Sequence, residues 1–487
     1  MELVTRGYEP ADALGYFEEI SAIPRGSGNE AAVADYICRF AEEHGLEYYR
    51  DEVHNVIVKR PGSKGYEDAE PIMLQGHTDM VCVKIPDVEH DFTKDPIELE
   101  INDGWLTAKG TTLGADDGIA VAYMLAFLAK EDYVHPPIEC VFTSMEEIGL
   151  LGAAKLDASR LKAKRMINMD GGASEDHMSV VSSAGGQVYD FYRKVEFVEA
   201  RGEALRLSIR GLLGGHSAIV MSEGRGNALK LMARIMTAIR KAMDVQLVSF
   251  AGGMKMNAIV SDADAVIVVP EGRSDEAKAI AEKTGKAISN ELAVSDPGFK
   301  LSCEKTAADK MMRPEDGKAL MDLIELLPDG LHVMSQEMKG LILLSSNVGV
   351  LELLPDGRIH VLDCMRVAEP SLGEELSDRY ELLAGLCGFE AVKGTGFGGW
   401  SYDAGSKLRA LCSGVYKRMF GKDMEFTTSH GGLECGELKS KIPDLDIVCL
   451  CPTAREAHTT EEALNLESFK RMYDCLTEIF KELCEKG

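Results

Sequence analysis

Short polar strings recur along this chain, each directly after an apolar run, and their residue types are those that hold and use metal ions. His77-Thr78-Asp79 sets an imidazole and a carboxylate at i and i+2, on one side of an extended chain. One can bind a cation while the other orients it, although such a tripeptide also suits a histidine satisfied by a local carboxylate. Asp116-Asp117, inside Leu113–Gly118 and ahead of the apolar stretch Ile119–Leu128, suits a helix N-cap or a carboxylate shared by two cations. Glu146-Glu147 sets two carboxylates side by side, which repel unless cations compensate them or one is protonated. With metal present, one is a ligand and the other takes a proton from the attacking water as general base. Asp170 and His458 complete a set of two imidazoles and three carboxylate ligands with no thiolate, compatible with Zn(II), Mn(II) or Co(II).

Such side chains act together only if the elements before them end at one place. Val56–Lys59, Pro71–Gln75, Ile138–Thr143 and Arg165–Met169 read as strands between helix-period stretches, an α/β pattern with a mainly parallel central sheet. The last three run straight into Gly76-His77-Thr78-Asp79, Ser144-Met145-Glu146-Glu147 and Asp170-Gly171-Gly172, so these groups should converge at the carboxyl ends of the strands. The pattern changes near Ser182–Gly186. Alternating strands are expected at Leu205–Arg210, Ala258–Val269, Val348–Leu354 and Ile359–Arg366. Helices are expected at Gly226–Met243, Ser274–Leu292, Gly317–Leu327 and Leu372–Leu386. Pro355-Asp356-Gly357 marks a hairpin, and the glycine-rich Gly394–Gly399 a return to the α/β pattern. The expected organisation is a catalytic domain in two pieces, 1–187 and 397–487, interrupted by an inserted α+β domain, 188–396. The order strand, helix, two strands, helix, strand occurs roughly twice in the insert. If it is duplicated, one chain supplies its own closing surface; an undivided insert favours a homodimer.

The net charge of −27, from 80 acidic and 53 basic residues, repels phosphate backbones and anionic membrane surfaces. It excludes nucleic acid as a partner, and no stretch approaches 18 apolar residues, so no membrane span is expected. The first 25 residues lack a basic segment followed by an apolar one. The twelve cysteines have neither the density of a disulfide scaffold nor paired CxxC spacing. A cytoplasmic enzyme with reduced core cysteines is the expectation.

The constellation resembles the two-zinc dipeptidases and deacylases that include aminoacylase, succinyl-diaminopimelate desuccinylase, peptidase T and carnosinase, and within them the aminoacyl-histidine dipeptidase branch. The matching strings are Gly76–Val81, Gly110–Gly118, Ser144–Gly149, Asn168-Met169-Asp170 and His430–Gly436, in family order. The resemblance implies a zinc-peptidase-like catalytic domain with a lid or dimerisation-type insert, and two Zn(II) per chain, with Mn or Co as substitutes. His77 and Asp170 would hold one zinc, Glu147 and His458 the other, and Asp116 would bridge them. Asp79 would orient His77, and Glu146 would activate the water between the metals and pass its proton to the leaving amine.

Gly214-Gly215-His216-Ser217 matches the family's lid histidine, which stabilises the developing oxyanion; Asn257 matches a second lid position near substrate. Arg366 would grip the substrate's carboxylate. Val367-Ala368 after Arg366, Thr459-Thr460 after His458, and Asp117 all depart from the family's usual residues, and bear on preference for aminoacyl-histidine substrates. The implied activity is hydrolysis of small dipeptides, Xaa-His or carnosine-like. An N-acyl amino-acid deacylase uses the same metals and base, and a non-catalytic binding protein of this fold is the remaining alternative.

Overall fold

The computed structural model describes residues 3–171 and 175–486; Gly172, in the string after Asp170, lies outside the described residues. The chain forms two compact units, one comprising the chain up to Ser183 and from Phe397 onward, the other Ala184–Gly396.

The first unit is built on a six-stranded sheet of β1 (Glu47–Arg50), β2 (Val56–Arg60), β3 (Ile72–His77), β4 (Ile138–Thr143), β5 (Arg165–Asn168) and β6 (Asp446–Cys449), in the order β1-β2-β4-β3-β5-β6. The four strands β4, β3, β5 and β6 are parallel, and β1 and β2 run antiparallel at one side. Parallel strands are covered on both faces, which is why β3 and β4 read as continuous apolar runs and are buried at every position. The helix Ala115–Ala129 has no polar face, and every residue from Asp117 to Leu128 is buried. Its Tyr123 and Phe127 meet Phe469, Tyr473 and Phe480 of the C-terminal helix Leu466–Lys486. Truncating one such ring costs about 3–5 kcal/mol. This packing holds the start of the helix, where Asp116 sits, against the sheet.

The second unit contains a nine-stranded sheet, eight strands of which form two copies of one motif while the ninth, Gly330–Met334, pairs beside Ile342–Leu353. Strand Glu203–Arg210, helix Ala228–Arg240, strands Gln246–Gly252 and Ala263–Val269, helix Ser274–Glu291 and strand Lys300–Thr306 form the first copy, with spatial order fourth, first, third, second. Strand Gly185–Lys194, helix Pro314–Leu326, strands Ile342–Leu353 and Arg358–Val367, helix Pro370–Cys387 and strand Glu390–Phe397 repeat it in the same order. The first copy is inserted between the first strand and first helix of the second. The copies join where Gly252 pairs with Leu351. At this seam Gly253 has φ +76°, and a Cβ there would lie 2.0 Å from the Gly349 carbonyl oxygen, so only glycine fits.

Two expectations shift. Ala258–Val269 is not one strand: Ala258–Ile259 leaves the main sheet to pair with Gly215–His216, and the polar Ser261-Asp262 separates it from Ala263–Val269. The helix expected from Gly317 begins at Pro314, whose missing N–H suits a first turn that Glu315 and Asp316 further favour.

Candidate active site

His77 ends β3, Glu146-Glu147 follow β4 and Asp170 lies two residues past β5, so the parallel strands deliver three of the five candidate ligand groups to one end of the sheet, while His458 comes from the segment beyond β6, after the short strand Ala454–Arg455. The fifth comes from the buried helix. There the two adjacent aspartates divide their work. Asp116 and Asp117 have non-helical backbone angles that kink the Ala115–Ala129 element, and the regular helix resumes after them: Asp117 Oδ1 accepts from Ala120 N at 3.2 Å as its N-cap bond, and Asp117 Oδ2 accepts from His77 N at 3.3 Å. Asp116 is left free of the helix: Oδ1 lies 3.1 Å from His77 Nε2 and Oδ2 lies 3.2 Å from His458 Nε2. One carboxylate thus faces two imidazoles with its two oxygens.

Donor atoms of His77, Asp116 and Asp170 lie within 4.8 Å of one another, as do those of Asp116, Glu147 and His458. Asp116 belongs to both groups. A third group, His77, Glu146 and Glu147, also falls within this span. Asp79, fully buried, accepts from Ser27 Oγ at 2.7 Å and from the backbone N–H groups of Glu146 and Glu147 at 3.0 and 3.3 Å, and its Oδ1 stands 3.4 Å from His77 Nδ1. It therefore braces the histidine and the Glu146-Glu147 turn together. His458 adopts a left-handed backbone conformation, φ +66°, uncommon outside glycine and concentrated at functional sites.

The electrostatics show what this cluster lacks. Burial first, then the negative charge of Asp116, pushes Asp170 up to about 8. Burial, with Asp170, Glu434 and Glu147 nearby, raises Glu146 well above the carboxylate range. Burial disfavours a charged His77, but Asp116 and Asp79 outweigh it and lift the imidazole well above its ordinary value. Contact with Asp116 and Glu147 lifts His458 to about 10. Carboxylates so crowded need cations or protons. The fit to metal is visible at Glu147: its buried Oε1 stands 2.9 Å from His458 Nε2, a carboxylate oxygen and an imidazole nitrogen close enough to hold one ion. Oxygen and imidazole donors grouped in this way suit divalent transition metals.

The second unit gathers its own candidates. His216 pairs with Ala258 in the short two-stranded ladder, Asn257 Nδ2 lies 3.2 Å from His216 Nε2, and Ser217 N donates to Asn257 O at 2.8 Å. Buried Arg366 donates from Nε to Ser217 Oγ at 3.2 Å. His216 Nδ1 accepts from Ala218 N at 3.1 Å, which leaves the proton of a neutral ring on Nε2. Burial, then Arg366, lowers the His216 pKa and favours that neutral form.

The sequence model of peptidase family M20/M25/M40 matches residues 73–482. The chain belongs to this family. It is 34% identical over 98% of both chains to the cytosol non-specific dipeptidase of Escherichia coli. The crystal structure of aminoacylhistidine dipeptidase from Vibrio alginolyticus superposes with a TM-score of 0.91 at 31% identity, covering 98% of each chain. Aminopeptidase PepT from Bacillus cereus shares the fold, with a TM-score of 0.54 at 15% identity over 98% of this chain and 99% of that one. The chain is thus a peptidase of the M20/M25/M40 family with an α/β catalytic architecture.

One M20-family residue without a role in the sequence reading is Glu434, within the His430–Gly436 string. Wholly buried, its Oε2 accepts from Gln75 Nε2 at 2.5 Å and Thr143 Oγ1 at 2.6 Å, while Gln75 Oε1 accepts from Asn168 Nδ2 at 2.7 Å. Gln75 stands two residues before His77, and Asn168 two before Asp170. Glu434 therefore knots together β3, β4 and β5 just beneath the groups they carry. Burial pushes Glu434 up to about 7. Polar residues in otherwise apolar strands were the available signal.

Proposed function

We propose that this chain is a metal-dependent dipeptidase that hydrolyses the amide bond of small dipeptides, with aminoacyl-histidine peptides among its substrates. The observation that carries the reading is Asp116, whose two oxygens face His77 and His458 separately, each within a cluster of further carboxylates. The relatives support the activity: two near-full-length relatives above 30% identity are named as dipeptidases, one of them aminoacylhistidine dipeptidase. In this reading His77 and Asp170 hold one cation, Glu147 and His458 the other, and Asp116 both. Zn(II) is the cation expected, with Mn or Co as substitutes. Two cations held there would supply Lewis acidity toward the scissile carbonyl and the attacking water.

The chain's own groups do the rest. Glu146 takes a proton from the attacking water at its carboxylate and returns it to the leaving amine nitrogen. Asp79 fixes the tautomer and direction of His77. In the second unit, which takes the lid role, neutral His216 donates from Nε2 to the developing oxyanion, Asn257 is a second lid residue near substrate, and Arg366 pairs with the substrate's carboxylate. No described helix is long and apolar enough to cross a membrane, and action in the cytoplasm on soluble dipeptides follows the Escherichia coli relative.

Metal analysis joined to a substrate panel tests this. Two divalent cations per chain, turnover of free dipeptides including Xaa-His, and little turnover of N-acetyl amino acids are expected. Preference for N-acetyl amino acids would mean a deacylase, and bound metal without hydrolysis a binding protein.

A further inference from the structure

Arg25 is 2% exposed in the first unit, with no role in the chemistry above. Its Nη1 donates to the carbonyl oxygens of Thr78 and Asp79 at 3.1 and 3.2 Å, and its Nη2 to that of Gly114 at 2.5 Å. One guanidinium therefore ties the turn after His77 to the loop that precedes Asp116. The loop is shaped to admit it: a Cβ on Gly114 would stand 2.6 Å from Arg25 Nη2, and one on Gly118 2.8 Å. From the C-terminal part of the chain comes Glu462, 3% exposed, whose Oε2 accepts from Leu113 N and Gly114 N at 2.8 and 2.9 Å and whose Oε1 accepts from Asp116 N at 3.1 Å.

A buried guanidinium and a buried carboxylate are each costly unless well hydrogen-bonded. Here every one of these bonds goes to the backbone of two short segments, 78–79 and 113–116. The Asp116 carboxylate itself meets two imidazoles, so its placement depends on where its backbone is held. We propose that Arg25 and Glu462 are positioning residues that clamp the Asp116 loop against the His77 turn and so tune the affinity of the shared metal site for divalent cations. This rests on the reading of Asp116 as a ligand common to both cations. Removing a group that orients a ligand typically lowers metal affinity about 10- to 100-fold.

The test is Zn(II) affinity of the full chain, measured by competition with a chromophoric chelator, together with amide hydrogen exchange of the metal-free protein. Glu462→Gln keeps the side chain's size but turns an amide N–H2 toward backbone N–H groups. Arg25→Lys keeps the charge but cannot span both segments. Each should weaken Zn(II) binding ~10- to 100-fold and speed exchange at residues 113–116, with wild-type far-UV circular dichroism; Arg25→Lys serves if Glu462→Gln does not fold. Asp116→Ala is run alongside. If it weakens binding while both positioning variants bind and exchange as wild type, the clamp is refuted and the ligand assignment stands. If Asp116→Ala itself binds as wild type, the ligand assignment fails and the clamp with it. Weakened affinity with unchanged exchange at 113–116 also overturns the clamp.

Discussion

Replacing Glu146 by Gln removes the group assigned as general base while leaving its mount in place. The Glu146 backbone N–H is held by Asp79 Oδ1 at 3.0 Å, independently of the side chain, and Gln has the same length. Loss of a positioned base lowers kcat roughly 100- to 10,000-fold, or about 2.7–5.4 kcal/mol. The same change removes one negative charge from the centre. Taking the 4.8 Å spread of the donor atoms as the separation, one unit charge attracts a dication by about 1.7 kcal/mol at aqueous screening. Metal affinity should then fall by roughly 20-fold, a deficit that excess metal restores. Steady-state kinetics at saturating metal, with metal content on the same samples, separate the two effects. A kcat within about tenfold of wild type would refute the base assignment. Permanent loss of one equivalent would instead make Glu146 a ligand, as the third donor group allows.

Asp116→Ala should lower occupancy by both cations, and full two-metal content by elemental analysis would contradict the shared role. His216→Ala should cut kcat about 100- to 1000-fold with a much smaller rise in KM and no change in metal content, because a neutral donor aimed at an oxyanion acts mainly in the transition state; near-normal kcat would remove His216 from the chemistry. Asp363, buried in the second unit with Tyr380 donating to its Oδ1 at 2.7 Å, is pushed up to about 8 by burial. Because its folded pKa exceeds the unfolded value near ~3.9, its contribution to stability is complete below that value and is lost as the pH rises through about 8. Asp363→Asn should therefore raise Tm more at pH 9 than at pH 5; an equal or smaller gain at pH 9, or a lower Tm there, would contradict this.

The convergence of His77, Glu147 and Asp170 was legible because each follows an apolar run, and parallel strands bring such ends together. Residue type and spacing did not separate Asp116 from Asp117, since either could cap the helix, and only the family resemblance chose Asp116; the bond from Ala120 N to Asp117 Oδ1 makes Asp117 the cap. Arg25 and Glu462 carry no local signal of what they do, and Glu434 is signalled only by its string and by the polar Gln75 and Asn168 of its network. Arg25 and Glu462 grip backbone atoms, which any residue offers, and all three have partners far away in sequence. The repeat in the second unit was hard to count for a different reason. One copy lies inside the other, so the first strand of the outer copy, Gly185–Lys194, is separated from its own helix by the whole inner copy.

That nesting has a consequence for how the second unit responds to dilution. Gln246–Gly252 would be a bare edge if the copies were separate, and so would the Leu351 end of Ile342–Leu353, whose Ile342–Ser346 end pairs with strand Gly330–Met334; an exposed edge recruits a partner strand from another molecule. Between two molecules such a seam opens as concentration falls. Here the partners are tethered by one chain, so their effective concentration is set by the connection and not by the amount of protein. The outermost strands left behind, Lys300–Thr306 and Glu390–Phe397, carry Lys300, Glu304 and Lys305, and Glu390 and Lys393, charges that discourage further pairing. The continuous sheet is therefore a property of the single molecule, present at any dilution at which the chain is folded.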